Sequence, residues 1–266
     1  MPAPDAATRD AEDLALLVAA AQAAGPVALG YFRARPASWD KPDGAGPVSE
    51  ADLAVDALLR ERLLSARPDY GWLSEETEDD PARLSRATVF VVDPIDGTRA
   101  FLNGDPGFAH ALAVVRGGRP VAAAVHLPAL ALTYAARADG GATLNGRRLG
   151  RGAGPGVGGA RLLAGKAALA AAHWPGGVPP VTRHFRTSLA WRLCLVADGR
   201  FDATLALRPV WEWDSAAASL IASEAGVTVT DRLGAPLRFN APHPAGDGLL
   251  AAPPRLHADL LARLRG

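Results

Sequence analysis

The 266-residue chain balances 28 Lys+Arg against 28 Asp+Glu and is 49% apolar, an ordinary globular composition with no net field to gather nucleic acid or a membrane surface. Any anionic ligand must therefore be held locally, and a nucleic acid polymer is not an expected partner. The single cysteine, Cys194, excludes an intrachain disulfide framework and argues against a thiolate zinc site.

Asp5, Asp10, Glu12 and Asp13 precede the first apolar stretch, unlike a secretory signal. No run approaches the roughly 18 uninterrupted apolar residues of a membrane span. A cytoplasmic protein without integral membrane association is the expectation. Leu14, Leu17, Val18, Ala21 and Val27 keep near-helical spacing between Ala11 and Ala34, broken at Gly25-Pro26, which predicts one bent helix or two abutting ones. Trp39 to Val48 reads as a polar, glycine-rich loop. Ser49 and Asp52 have the spacing of a capping box, so a second helix starts there and runs to Leu64 with Asp52 in its first turn.

Thr88 to Val92 is a β-branched and aromatic run, read as a buried strand ending at Asp93-Pro94. Ala109–Val115, Val121–His126 and Thr133–Ala136 follow as an antiparallel meander. The glycine-rich stretch Gly150 to Gly159 marks the expected boundary between an N-terminal α+β half, residues 1–150, and a C-terminal α/β half, residues 151–266. Beyond it come a strand near Leu162, a helix at Ser188–Ala197, a strand at Phe201–Leu207, a helix at Ser215–Ala225, and strands near Val227 and Leu237. The chain is thus of the α/β class.

Val91-Val92-Asp93-Pro94-Ile95-Asp96-Gly97-Thr98 sets two carboxylates at the end of a buried strand. Hard cations such as magnesium take oxygen ligands, and two metals about 3.5–4 Å apart need a bridging carboxylate, a role suited to Asp93. If the chain turns helical after Asp96, the amides of Gly97 and Thr98 become donors for a phosphate. Asp-Gly is equally at home in a plain turn with solvated carboxylates. Ser74-Glu75-Glu76 follows apolar Trp72-Leu73, so one glutamate can point inward while the other meets solvent; a charged loop is the alternative. Asp214, before an apolar helix, is equally a helix cap, as is Asp52.

Taken together, the Val48-Ser49-Glu50-Ala51-Asp52 segment, the Ser74-Glu75-Glu76 pair, Asp93-Pro94-Ile95-Asp96-Gly97-Thr98 and Trp213-Asp214-Ser215-Ala216-Ala217 form an ordered set over about Lys41 to Asn240 that resembles the inositol monophosphatase superfamily. The resemblance implies a five-layered α/β/α/β/α sandwich, as in the inositol monophosphatase and fructose-1,6-bisphosphatase type, and often lithium-sensitive, magnesium-dependent phosphatase activity. It implies two or three magnesium ions: Glu75, Asp93 and the Ile95 carbonyl on one, and Asp93, Asp96 and Asp214 on a second. Glu75 and Thr98 would position the attacking water and Asp52 would support them. Asp96, Gly97, Thr98, Arg192 and Asp214 would contact the substrate. A homodimer is also in keeping with the family.

Within the superfamily, Glu212-Trp213-Asp214 and Asp96-Gly97-Thr98-Arg99 with Phe101 look more like 3′(2′),5′-bisphosphate nucleotidases, which serve sulfate assimilation. Leu207 stands where inositol phosphatases carry a glutamate. The expected substrate is therefore adenosine 3′,5′-bisphosphate, with inositol 1-phosphate or another sugar or polyol phosphate as the alternative. Thr187-Ser188 in place of a glycine-led pair, and Arg192 in place of lysine, depart from the nucleotidase pattern. Trp72, Trp191, Trp211 and Trp213 are open as adenine platforms or as core. A non-catalytic binding protein would show damage among the metal positions, and none is visible. Two residues between Asp93 and Asp96 exclude the Asp-x-Asp phosphatases of the haloacid dehalogenase type. Gly154-x-Gly156-x-x-Gly159 contains Pro155 and follows no clear strand, so it reads as linker rather than a dinucleotide site.

Overall fold

The structure is a computed structural model that describes residues 6–42 and 46–265; Asp5 and residues 43–45 of the anticipated loop lie outside them. The first segment is a single helix, α1 (Ala6–Tyr31), that continues through Pro26. Proline removes one helical hydrogen bond, but the helix is held across that point because Ala24, Gly25 and Ala28 are buried. A β-carbon on Gly25 would lie 3.1 Å from the His126 ring and 3.2 Å from Pro128, a tight fit that a larger residue would relieve only by pushing those side chains back. By length and composition α1 could cross a membrane, its most apolar window having a mean hydropathy of 1.6, which corrects the expectation of no such segment. In this fold Leu17, Ala20, Ala21 and Ala24 pack into a core with the following helix and the main sheet.

The anticipated loop at Trp39–Val48 contains a ribbon instead: β1 (Ser38–Asp40) pairs antiparallel with β2 (Pro47–Ser49). Helix α2 (Glu50–Ala66) starts at the predicted capping box. Then come β3 (Gly71–Ser74), a 3-10 turn at Pro81–Ser85, β4 (Thr88–Asp96) and the short helix α3 (Thr98–Leu102). The meander is β5 (Ala109–Arg116), β6 (Arg119–Leu127), β7 (Leu132–Arg137), β8 (Gly141–Leu144) and β9 (Arg147–Arg148). Strands β3 to β9 lie side by side in chain order as a seven-stranded sheet, with β3 parallel to β4 and the others antiparallel.

The remaining elements are β10 (Arg161–Ala164), β11 (Thr182–His184), α4 (Leu189–Ala197), β12 (Ala203–Ala206), β13 (Val210–Trp211), α5 (Glu212–Glu224), β14 (Thr228–Thr230), β15 (Ala245–Gly246), β16 (Leu249–Ala252) and α6 (Pro254–Arg265). A second sheet runs β11-β10-β12-β16-β14. Strand alternation sorts the core into layers. Phe90, Val92, Leu112 and Val114 face α1 and α2, while Val89, Val91, Ala111 and Ala113 face α4 and α5. Leu249 and Ala251 of β16 close that middle layer from the other side, and Leu250 and Ala252 face α6. The result is the α/β/α/β/α sandwich, and strands covered on both faces explain the near-continuous apolar runs.

Three boundaries differ from the sequence reading. Strand β4 does not end at Asp93-Pro94: its register jumps from Asp93 opposite Ala111 to Asp96 opposite Ala109, so Pro94 and Ile95 form a bulge that accommodates a residue without an N–H. Helix α5 begins at Glu212 with Trp211 as its cap, which makes Asp214 a first-turn residue rather than the cap. Leu237 lies in an irregular connection, and the partner of β14 is β16.

Candidate metal centre

The two parallel strands β3 and β4 aim the first two acids. Leu73 and Val91 are register partners facing the middle layer; two residues further on, the same face presents Glu75 and Asp93. Helix α5 crosses that face and supplies Asp214 from its first turn. Carboxylate oxygens of Glu75, Asp93 and Asp214 lie within 4.8 Å of one another. Asp93 is 1% exposed and neither of its oxygens has a hydrogen-bond partner. Burial, with the charges of Glu75, Asp96 and Asp214 behind it, pushes Asp93 well above the usual carboxylate range. Burial raises Asp214 in the same way, and Asp96 and Glu75 add repulsion. An orphaned buried carboxylate beside two others is a donor set that a hard divalent cation satisfies, because the cation removes both the repulsion and the unmet acceptors.

Asp96, beyond the bulge, is held differently. Its oxygens accept from Ser188 Oγ at 2.7 Å, from the Ala190 N–H at 2.6 Å and from the Leu189 N–H at 3.3 Å, so it sits at the N-terminus of α4, where the helix dipole favours an anion. Burial still raises it, to about 6, against these hydrogen bonds. The structure thus brings Glu75, Asp93 and Asp214 together and sets Asp96 beside them with its carboxylate engaged by α4.

Gly97 caps α3 with φ of 96°, a left-handed conformation that glycine adopts without strain. The turn it makes brings Thr98 over Asp52. Thr98 Oγ1 lies 3.0 Å from Asp52 Oδ1 and 3.1 Å from the Ile95 carbonyl, and its one hydrogen serves one acceptor at a time. The other oxygen of Asp52 accepts from the Ser49 N–H and Oγ. Burial raises Asp52, opposed by the bonds from Ser49 and Thr98.

The glutamate pair corrects the expectation of one inward and one solvated side chain. Lys41 Nζ donates to Glu75 at 2.8 Å and to Glu76 at 2.9 Å, and the Glu76 side chain, 4% exposed, is more enclosed than that of Glu75 at 20%. Burial, joined by Glu75, pushes Glu76 up to about 7 despite the lysine. Asp56 accepts from Ser74 Oγ and Thr77 Oγ1 on either side of the pair, fixing the strand end.

A cavity of about 680 Å³ opens over these acids, lined by Glu75, Asp93, Asp96, Gly97, Thr98 and Asp214 and also by Phe185, Arg192, Leu207 and Arg208. Arg192 spends two donors on the chain: Nε on the Arg186 carbonyl at 2.5 Å and Nη2 on the Thr187 carbonyl at 3.3 Å. Its guanidinium stacks on Phe185 at 4.7 Å. The tryptophans considered for base stacking do not line the cavity. Trp211 and Trp213 stack on each other at 4.9 Å and Trp72 packs on Phe90. Glu212 points away as well, accepting the Asn240 and Ala241 N–H groups. Sequence reading missed Lys41, Arg208 and Phe185, the basic residues carrying no local motif, and it noted Ser188 only as a helix start and in the Thr187-Ser188 pair, not as the partner of Asp96.

The family profile described as inositol monophosphatase family matches residues 10–266. An inositol-1-monophosphatase of Rhizobium meliloti is 40% identical over 197 residues, covering 70% of this chain and 73% of that protein. A 3′(2′),5′-bisphosphate nucleotidase CysQ of Aggregatibacter actinomycetemcomitans is 30% identical over 208 residues, covering 73% and 75%. Among solved structures, the extragenic suppressor protein suhB of Bartonella henselae superposes with a TM-score of 0.80 at 26% identity, over 96% of this chain and 98% of that one. The layered α/β fold and its acid-floored cavity define a phosphatase that acts on small phosphorylated compounds. This chain belongs to the inositol monophosphatase family.

Proposed function

We propose that the chain is a magnesium-dependent phosphomonoesterase in which Glu75, Asp93, Asp214, the Ile95 carbonyl and Asp96 hold two or three metal ions. The observation that carries this reading is Asp93, buried with both oxygens unpartnered between Glu75 and Asp214. When bound, the metal supplies a water of lowered pKa and charge to neutralise the phosphoryl oxygens. The chain's own groups do the positioning. With its hydrogen given to Asp52, Thr98 Oγ1 would be left as an acceptor for the attacking water, and the Ile95 carbonyl would be free to hold a cation. Glu75 would accept a hydrogen bond from the other hydrogen of that water, while Lys41 Nζ holds Glu75 Oε1. The amides of Gly97, the cap of α3, and of Thr98, its first residue, offer donors to the phosphate.

For the substrate we favour adenosine 3′,5′-bisphosphate. Arg192 and Arg208 line the same cavity and suit a second phosphate, Phe185 is an exposed aromatic against Arg192, and Leu207 brings no carboxylate to grip a polyol. Inositol 1-phosphate is the second reading, favoured by the higher identity to the inositol-1-monophosphatase than to the nucleotidase. Phosphate release from the two compounds, with and without magnesium, separates them. Magnesium-dependent preference for the nucleotide supports the first; preference for inositol 1-phosphate transfers the role to the second; and release independent of metal overturns the metal reading.

A further inference from the structure

The bulge that separates Asp93 from Asp96 takes Pro94 and Ile95 out of the β4–β5 ladder. A bulge leaves backbone carbonyls to be satisfied from elsewhere, and both of these find side chains. Ile95 has Thr98; Pro94 has His110, whose Nδ1 lies 2.5 Å from the Pro94 carbonyl oxygen. His110 sits on β5 directly after Ala109, the partner of Asp96, and is fully buried. Its ring lies on the α1 and α2 side of the sheet, where its strand neighbours Phe108 and Leu112 pack, opposite the face that presents Asp93. It therefore touches none of the acids, and it reaches the centre through the backbone alone.

A carbonyl can only accept, so Nδ1 carries the proton. The other nitrogen, Nε2, is buried without a partner, and a cationic ring there would bury an unpaired N–H. Burial accordingly holds the ring neutral, down to about 4. The orphaned nitrogen is the physical mark of a side chain held in one tautomer for the sake of its other end. Pro94 has no N–H, so the bulge is anchored on its carbonyl side.

We propose that His110, as the neutral Nδ1–H tautomer, is a positioning residue of the metal centre: its hydrogen bond to the Pro94 carbonyl sets the bulge that spaces Asp93 from Asp96. The proposal rests on the metal reading given above. Asparagine at this position keeps an N–H donor near the place of Nδ1, whereas leucine keeps bulk and removes the donor. Binding of magnesium to metal-free protein, followed by calorimetry, is expected to weaken by about 10- to 100-fold in His110→Leu, the range for groups that orient metal ligands. His110→Asn should stay near the wild type, and at saturating metal KM should move little in either.

Equal weakening in both variants, or wild-type affinity in a folded His110→Leu, overturns the proposal. Failure of the wild type to bind any divalent ion sinks the metal reading and this proposal with it, whereas unchanged affinity in the leucine variant sinks this one alone. Should His110→Leu fail to fold, long-range ¹⁵N–¹H correlation of the wild-type ring decides: a proton on Nδ1 supports the assignment and a proton on Nε2 removes it.

Discussion

Asp93 is the residue on which the fold and the chemistry pull in opposite directions. In the metal-free chain it is a buried carboxylate with no hydrogen bond, facing Glu75 and Asp214, and such a charge destabilises the fold. Asp93→Asn removes the charge and keeps the shape. We expect it to abolish magnesium-dependent turnover while raising the melting temperature of the metal-free protein by the order of a few °C. A folded Asp93→Asn with near-normal activity would contradict the two-metal assignment. Thr98 tests a different step. Thr98→Val preserves volume but loses the hydroxyl shared by Asp52 and the Ile95 carbonyl, so kcat should fall about 10²-fold or more, with magnesium affinity far less affected. A matching loss of metal affinity would move Thr98 from water positioning to ligand positioning.

At the scale of elements, the centre is assembled from parts distant in sequence, and one clamp joins them. Arg83, 2% exposed on the 3-10 turn after β3, bonds Asp79 through Nε and Nη2, the Asn240 side chain through Nη1 and the Ala241 carbonyl through Nη2. Glu212 at the start of α5 accepts the N–H groups of the same two residues. The clamp thus ties the segment following Glu75 to the helix that carries Asp214. Arg83→Met keeps the stem and removes the fork. It is expected to lower stability by on the order of 3 kcal/mol, the upper part of the range for single substitutions that break a buried hydrogen-bond network, and to weaken metal binding as Glu75 and Asp214 lose their fixed separation. Urea unfolding beside a magnesium titration measures both, and a loss of stability with unchanged metal affinity would confine the clamp to the scaffold.

The same assembly explains what the sequence could reveal. Local signals were strong where one element decides the outcome. The Ser49–Asp52 box starts α2, the β-branched run makes β4, and Gly97 turns the chain into α3. The acids were legible because each stands near the end or the start of an element and all follow the order of a known family. Partners brought in by packing were not legible. Lys41 comes from the β1–β2 ribbon, Arg208 from the connection after β12, and His110 from a strand whose neighbours are all apolar. Glu212 shows the converse. Its place beside Trp213-Asp214 suggested a substrate-class marker, yet its carboxylate is engaged by the Asn240 and Ala241 amides and is not among the residues that line the cavity. β16 was missed because Leu249–Ala252 is a short run of leucine and alanine, without the β-branched and aromatic residues that marked β4.

For the whole molecule, the buried ionisable groups predict how stability depends on pH and metal. In the metal-free protein Asp96 has its pKa raised from an ordinary 3.8 to about 6, and Asp93 and Asp214 are raised in the same direction. Between these limits the folded state holds protons that the unfolded chain releases. For Asp96 that stabilising effect is full below about pH 3.8 and is lost as pH rises through about 6, and Asp93 and Asp214 act with the same sign. His110 runs the other way: held at about 4 against an ordinary 6.5, its contribution is full above 6.5 and is lost as pH falls toward 4. The raised acids, with Glu76 at about 7 and Asp52 and Glu212 raised as well, outnumber the lowered histidines His110, His126 and His257, so the metal-free protein should melt at a lower temperature at pH 7.5 than at pH 5. Magnesium takes the deprotonated carboxylates and competes with protons for them. At a hundred times its dissociation constant it contributes about 2.7 kcal/mol, of the order of 5–10 °C for a chain of this size. That shift should be large at pH 7.5 and small at pH 5 at the same magnesium concentration, and Asp93→Asn should lose most of it. Melting curves at the two pH values, with EDTA and with magnesium, check the sign directly: an equal magnesium shift at both would mean that the acids meeting beneath the cavity are not where the metal binds.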